Sequence, residues 1–439
     1  MKKSISTNPR VLLCTTYRRF PRDYTTIANA PRRVSPGLRF IKQNVPEVEI
    51  LEYPRWHQYV AKLREGWDVV GFSFYQNDIT QIERMAAEAR KQGVRELWAG
   101  NYGALDYSIP SLVDRVFIGP AEDDVAQVFG YRVRREDIQH PVMMANFSVI
   151  PGIRTLTLGL LYTAHGCPYK CSFCQTPVFD KDRFTINLDS IERVLRYYKK
   201  LGVAYLFPMD EIFGIYPKFT DELTRLFARY KFRWWAQSRA SLFMHNLDTW
   251  HERGLRIPSV GVESMIQNSL DGVNKRQKID EIYEFCRRTR EKKGMFRISY
   301  SMIGHENLNV EQTLEDAALI RKADFDAHAV SVITPFPRTP LWEKLKENNG
   351  IFDRKFSHYK LRHLVWHHPH ISPEQMRYLL IYIESRLNST FKFIHKGLSK
   401  FLWGGVRQDG PGILWRSFLK GPVAAAFVDD RKQVFFERP

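Results

Sequence analysis

The stretch His165–Pro177, HGCPYKCSFCQTP, places three cysteines within eight residues. Cys167, Cys171 and Cys174 have the spacing C-x3-C-x2-C and follow TLTLGLLYTAHG (155–166), an apolar run that reads as a strand. The 439-residue chain holds only five cysteines, which is no disulfide framework and fits a reduced, cytoplasmic setting. Thiolates are soft ligands that suit zinc or an iron–sulfur cluster. Structural zinc takes four ligands in a closed site. His165 offers itself as a fourth, but it lies two residues from Cys167, off the usual paired spacing. Cys14 and Cys286 sit in apolar or helical patterns and read as buried thiols. Three thiolates on four irons leave one iron open, and an open iron binds a chelating ligand.

Downstream, the pattern alternates strand and helix. VAYLFPMDEIF (203–213), FRWWAQSRA (232–240), IPSVGVES (257–264), FRISYSMIG (296–304) and AHAVSVITPFP (327–337) read as five further strands. Helical patterns such as 188–202 and 279–294 separate them. Six βα units predict an α/β partial barrel of the TIM type, with its chemistry at the carboxyl ends of the strands.

Upstream, RVLLCTT (10–16), VEILEY (48–53), DVVGFSFY (68–75), RELWAGN (95–101) and RVFIGP (115–120) alternate with helical stretches such as 78–93. That order predicts a Rossmann-like parallel sheet covered on both faces, with its ligand beyond the carboxyl ends of the strands. Those ends are polar or carry glycine, including Gly100, Gly103 and Gly119, which allow a close backbone approach. No GxGxxG follows the first strand, which disfavours a dinucleotide site. The expected division is 1–145, 146–350, and a mainly helical, basic region 351–439, with a linker near 136–154.

The cysteine loop, with an aromatic Phe173 before its last cysteine, resembles the cluster-binding loop of radical S-adenosylmethionine (radical SAM) enzymes. The resemblance covers most of 155–345. It implies a [4Fe–4S] cluster on Cys167, Cys171 and Cys174, with SAM chelating the open iron. Reductive cleavage of SAM would then give a 5′-deoxyadenosyl radical, with an external reductant such as flavodoxin or ferredoxin. Asp210 and Glu211 in FPMDEIF match positions that meet the SAM amino group, although carboxylates there also suit the cap of the following helix. Ser238 and Arg239 match further SAM contacts, and the arginine fork suits a carboxylate. Glu263 in GVES is expected at the ribose or amino end, and Gly304 in the sixth-strand segment against adenine. Arg338 stands where cobalamin-type members usually have glycine.

An α/β domain before such a barrel is similar to the cobalamin-dependent subclass. The resemblance implies corrin contacts from Tyr75, Gln76, Asn101, Tyr102 and Gly119. D-x-H-x-x-G is absent, as is common in this subclass. The implied chemistry is methylation, rearrangement or cyclisation at an unactivated carbon. A degenerate domain that binds no cobalamin is the alternative.

The net charge of +18 favours an anionic partner without choosing one. The basic residues are spread along the chain and no small β-barrel is appended, so nucleic acid ranks low. Phe391, Ile394, Leu398 and Leu402 share one helical face, and Lys392, Lys396 and Lys400 another. A helix packed on the barrel with a solvated basic face is the preferred reading. Peripheral membrane contact, with a lipid or other hydrophobic substrate, is the second. The N-terminal apolar run is too short for a signal peptide, and no apolar stretch is long enough to span a membrane. His367, His368 and His370 lack companion ligands and read as surface or cleft histidines. The competing class is a metal-stabilised membrane-surface interaction protein, which predicts zinc.

Overall fold

The computed structural model describes residues 9–17, 34–147, 156–203, 205–388 and 433–437. The basic amphipathic pattern at 391–402 lies outside them. Five strands form the first sheet: β1 (Val11–Thr15), β2 (Glu49–Leu51), β3 (Val69–Ser73), β4 (Glu96–Gly100) and β5 (Arg115–Val116). They are parallel throughout, in the order β2-β1-β3-β4-β5. Parallel neighbours need crossovers, and helices Pro36–Asn44, Trp56–Leu63 and Ile79–Lys91 supply them. In the last, Ile82, Met85, Ala86 and Ala89 recur at helical spacing and are buried. β1 is buried along its whole length, as a sheet covered on both faces requires. β2 and β3 flank β1 on opposite sides, so the strand order reverses there and opens a crevice at the carboxyl ends.

The second sheet runs β14-β13-β12-β11-β10-β7-β6. Its six parallel strands are β7 (Leu156–Leu161), β10 (Tyr205–Pro208), β11 (Arg233–Ser238), β12 (Leu255–Glu263), β13 (Ile298–Ile303) and β14 (Ala327–Val332). They are the expected partial barrel. The seventh, β6 (Met144–Phe147), pairs antiparallel with β7 inside the stretch that reads as a linker. Between β7 and β10 a short hairpin, β8 (Ala164–His165) with β9 (Phe184–Thr185), brackets the cysteine loop.

Glycine fixes one layer contact. A Cβ on Gly159 in β7 would stand 2.6 Å from the Tyr198 ring. Without one, the ring lies on the sheet, and its hydroxyl donates to Leu160 O at 2.9 Å and accepts from Met143 N at 2.9 Å. At the far edge, Asn388 bonds His328 N and O at 2.9 and 2.7 Å and closes the exposed side of β14.

The two sheets share one apolar core that includes Val11 and Trp98 from the first and Leu158, Leu206 and Val260 from the second. Arg39 crosses the seam: it pairs with buried Glu52 at 2.8 Å and donates to Val142 O at 3.1 Å. Arg338 also crosses it. Its Nε donates to Leu105 O at 2.9 Å and its guanidinium lies 5.2 Å from the Tyr107 ring centre. Its φ of 65° falls in the left-handed region that favours glycine, which accounts for glycine as the usual residue there. Tyr107 donates to Glu343 at 2.6 Å beside it.

Candidate active site

The cysteine loop leaves β8 through Gly166. A side chain there would meet the Arg183 Cγ at 2.8 Å and the Asp182 carbonyl at 3.0 Å, and φ is +78°. Asp180 draws the base of the loop together, accepting from His165 Nδ1 and Gly166 N at 2.9 Å each. His165 is thereby committed. Its ring also stacks on Phe184 with centroids 4.7 Å apart. The body of the loop is fixed from several sides. Ser172 N donates to Val273 O at 3.0 Å, Leu341 N to Ser172 O at 2.9 Å, and Asn274 Nδ2 to Lys170 O at 2.9 Å. Phe173 packs on Val273, Met302 and Ile333, which tie it to the barrel mouth.

All three cysteines are free thiols, half-buried rather than sealed in the core. Burial pushes the Cys167 thiol up to about 11. Burial raises Cys171 as well, while Lys275 and Arg239 beside it pull the other way. A metal group that takes the thiolate would find two cations at hand to balance the charge. Among the described residues, no three His, Cys, Asp or Glu side chains are gathered closely enough to hold a single ion. The three thiols nevertheless feel one another's charge. The residues present fit a cluster whose irons take one thiolate each. Cys14 is buried with its thiol pushed far up, and Cys286 is pushed up to about 12, as inert core thiols are.

The other expected SAM residues fall into separate groups. Arg239 and Glu263 stand beside Cys171. Arg239 donates to Arg276 O at 2.7 Å and to Lys275 O, and its guanidinium lies 3.8 Å from the Tyr169 ring centre. It therefore clamps the cysteine loop to the segment that follows helix Gln267–Gly272. Glu263, at φ 62°, pairs with Lys275 at 2.7 Å in a largely buried contact. Ser238 turns away and donates to Phe213 O at 2.7 Å. Gly304, at φ +87°, turns its Cβ direction toward Met376 Cε at 3.1 Å. Asp210 accepts from Thr163 N at 2.6 Å and from Thr163 Oγ1 at 2.5 Å, joining the ends of β10 and β7 in place of a helix cap. Lys275 and Asp180 carry no motif in the sequence, and Tyr169, though inside the cysteine motif, is not marked by the spacing. They enter the site by contacts across 12, 15 and 70 residues.

Between the carboxyl ends of the two sheets lies a cavity of about 490 Å³. Tyr75, Asn101, Tyr102 and Gly119 line it from the first sheet, and Tyr162, His165, Met209 and Glu211 from the barrel. Gln76 does not line it; its amide is buried on Asp106 at 2.5 Å. Asn101, at φ 70°, caps the turn by accepting from Tyr102 N at 2.8 Å. Tyr102 stacks on Phe179 with centroids 4.3 Å apart and so touches the segment after the cysteine loop. Open space stands where a Gly100 side chain would be, and a Gly119 Cβ would lie 3.0 Å from Phe179 O. Glycine at 100 leaves open space at the cavity, and glycine at 119 lets the Phe179 backbone come close. Of the histidine group, His368 bonds His305 O at 3.0 Å, His370 N donates to His368 Nδ1 at 3.1 Å, and His367 packs on Phe352.

Burial holds the Asp210 carboxyl up to about 6 and the Glu211 carboxyl up to about 7. The folded chain therefore keeps protons that the unfolded chain has released above about pH 4. Stability from these groups falls as pH rises from there through 6 and 7. Glu211→Gln is expected to melt above wild type by a margin that widens from about pH 5 to about pH 8. Melting curves at several pH values measure it, and a margin that does not change with pH would contradict the assignment.

Residues 161–320 match the family model described as the Radical SAM superfamily. The chain thus carries a radical SAM domain, and enzymes of this superfamily use a [4Fe–4S] cluster and SAM. Among curated proteins, it is 24% identical to an uncharacterised methyltransferase of Pyrococcus horikoshii, over 51% of this chain and 49% of that one. It is 27% identical to the anaerobic magnesium-protoporphyrin IX monomethyl ester cyclase of Cereibacter sphaeroides, over 61% of this chain and 44% of that one. The chain thus spans about half the length of these two curated relatives. In fold it is similar to the radical SAM methyltransferase TsrM of Kitasatospora setae, solved with cobalamin and a [4Fe–4S] cluster. That likeness has a TM-score of 0.60 at 16% identity and covers 77% of this chain and 78% of that one.

Proposed function

We propose that this chain reductively cleaves SAM at a cluster held by Cys167, Cys171 and Cys174. We further propose that it holds cobalamin between its two sheets and methylates or cyclises an unactivated carbon of a hydrophobic substrate. The observation that carries the reading is the cavity shared by the strand ends of the first sheet and the base of the cysteine loop. A flat ligand in it would lie next to the place where the radical would be made. When bound, the cluster supplies the electron that cleaves SAM, and cobalamin supplies methyl or one-electron chemistry. Arg239 and Lys275 offset the thiolate charge, and Arg239 keeps the loop in place. Glu263 and Lys275 are offered as contacts for the polar end of SAM. Phe173 and the apolar group behind it keep water from the cluster side.

TsrM supports cobalamin, and the methyltransferase and cyclase among the relatives support the two outcomes. Among the described residues, no helix is long and apolar enough to cross a membrane. Contact with a membrane surface, through the basic pattern at 391–402, is the lesser part of the proposal.

Reduced, cobalamin-loaded protein given SAM separates the outcomes. Methyl transfer predicts S-adenosylhomocysteine and methylcobalamin alongside 5′-deoxyadenosine. 5′-Deoxyadenosine with no S-adenosylhomocysteine favours the cyclase, and neither product overturns the proposal.

A further inference from the structure

Glu211 stands apart from the groups around the cysteines. It lies on the barrel wall of the cavity with Tyr162, His165 and Met209. Its Oε1 accepts the Tyr162 hydroxyl, and its Oε2 is enclosed with no protein partner. Its neighbours are otherwise engaged: His165 on Asp180, and Asp210 on Thr163. A carboxyl oxygen enclosed and left unmet is costly, and a small turn of the side chain toward the cavity it lines would let an occupant complete it. The next step rests on cobalamin occupying that cavity. A cobalamin there, working on a substrate shared with the cluster, would have the face of its cobalt toward the wall that adjoins the cysteine loop. That loop begins at Gly166, beside this wall.

We propose that Glu211, held by Tyr162, hydrogen-bonds the axial ligand on the barrel-facing side of cobalamin, a water molecule when the cobalt is oxidised. The charged and titratable groups around it are Tyr162, His165, Asp180 and Tyr102, with Asp210 behind Tyr162 and Glu122 beside His165. Above its raised titration range the carboxylate accepts from the water and opposes its loss of a proton.

The test is the visible spectrum of full-length protein loaded with aquacobalamin, followed across pH through the change from axial water to hydroxide. Glu211→Gln is expected to lower that midpoint by about one pH unit. Tyr162→Phe, which removes the donor sharing the charge, is expected to raise it. If the glutamine variant does not fold, Glu211→Asp serves, with a smaller shift. Cobalamin retained with the midpoint unmoved overturns this inference and leaves the cobalamin reading intact. Wild-type protein that retains no cobalamin overturns both.

Discussion

Cys171→Ala is expected to give a folded protein with little bound iron and no 5′-deoxyadenosine from SAM. None of the three loop cysteines contributes to the apolar core clusters, so the fold has little to lose. The loop keeps its backbone bonds to Val273 and Leu341 and its Phe173 anchor. What would disappear is one of the three thiolates proposed to hold the cluster, for which no spare protein ligand is proposed. Loss of an outer-shell partner alone costs roughly 10–100-fold, so loss of a ligand should exceed that and reach background. Iron content, visible absorption and product formation measure it. Cys167→Ala and Cys174→Ala should behave alike, while Cys286→Ala, in the core away from the loop, should keep its iron. Retained SAM cleavage in any of the three loop variants would sink the assignment.

Arg297→Met is expected to have the largest effect on stability. Arg297 is 1% exposed and meets both oxygens of Asp326, itself buried, at 2.9 and 3.1 Å. It also donates to Asp324 O at 2.6 Å and so ties the start of β13 to the turn before β14. Removing the guanidinium takes the counter-charge from a buried carboxylate that keeps the residue-297 backbone N–H at 2.8 Å, a loss of about 3–5 kcal/mol. The melting temperature should fall by roughly 3–5 °C in a chain of this size. Arg297→Met with Asp326→Leu removes both charges and should recover most of the loss. Equal stability of the single and double variants would show that the pair is not the cause.

The parts legible in the sequence are those with local signals. The cysteine spacing marks the loop. Apolar, β-branched runs bounded by Gly, Pro and Asp mark the six parallel barrel strands. The same signals place the first sheet and four of the five expected cavity residues. Strand β6 gives no such signal, because VMMANF neither alternates nor contains more than one β-branched residue, and it follows a proline. Its pairing is dictated by β7, not by its own sequence. Side-chain commitments are equally hidden. Asp210 and Glu211 are adjacent in sequence, yet one binds Thr163 at the strand ends while the other faces the cavity with Tyr162. Gln76 follows Tyr75 but turns into the fold toward Asp106. Arg338 bridges to the first sheet by a contact across 233 residues, which no local pattern encodes.

The measurement closest to the central claim is the metal content of protein made and purified without oxygen, with cobalamin supplied. The account predicts about four irons per chain on the three thiolates and about one cobalt in the cavity between the sheets. Zinc in place of iron, with no cobalt, would contradict it.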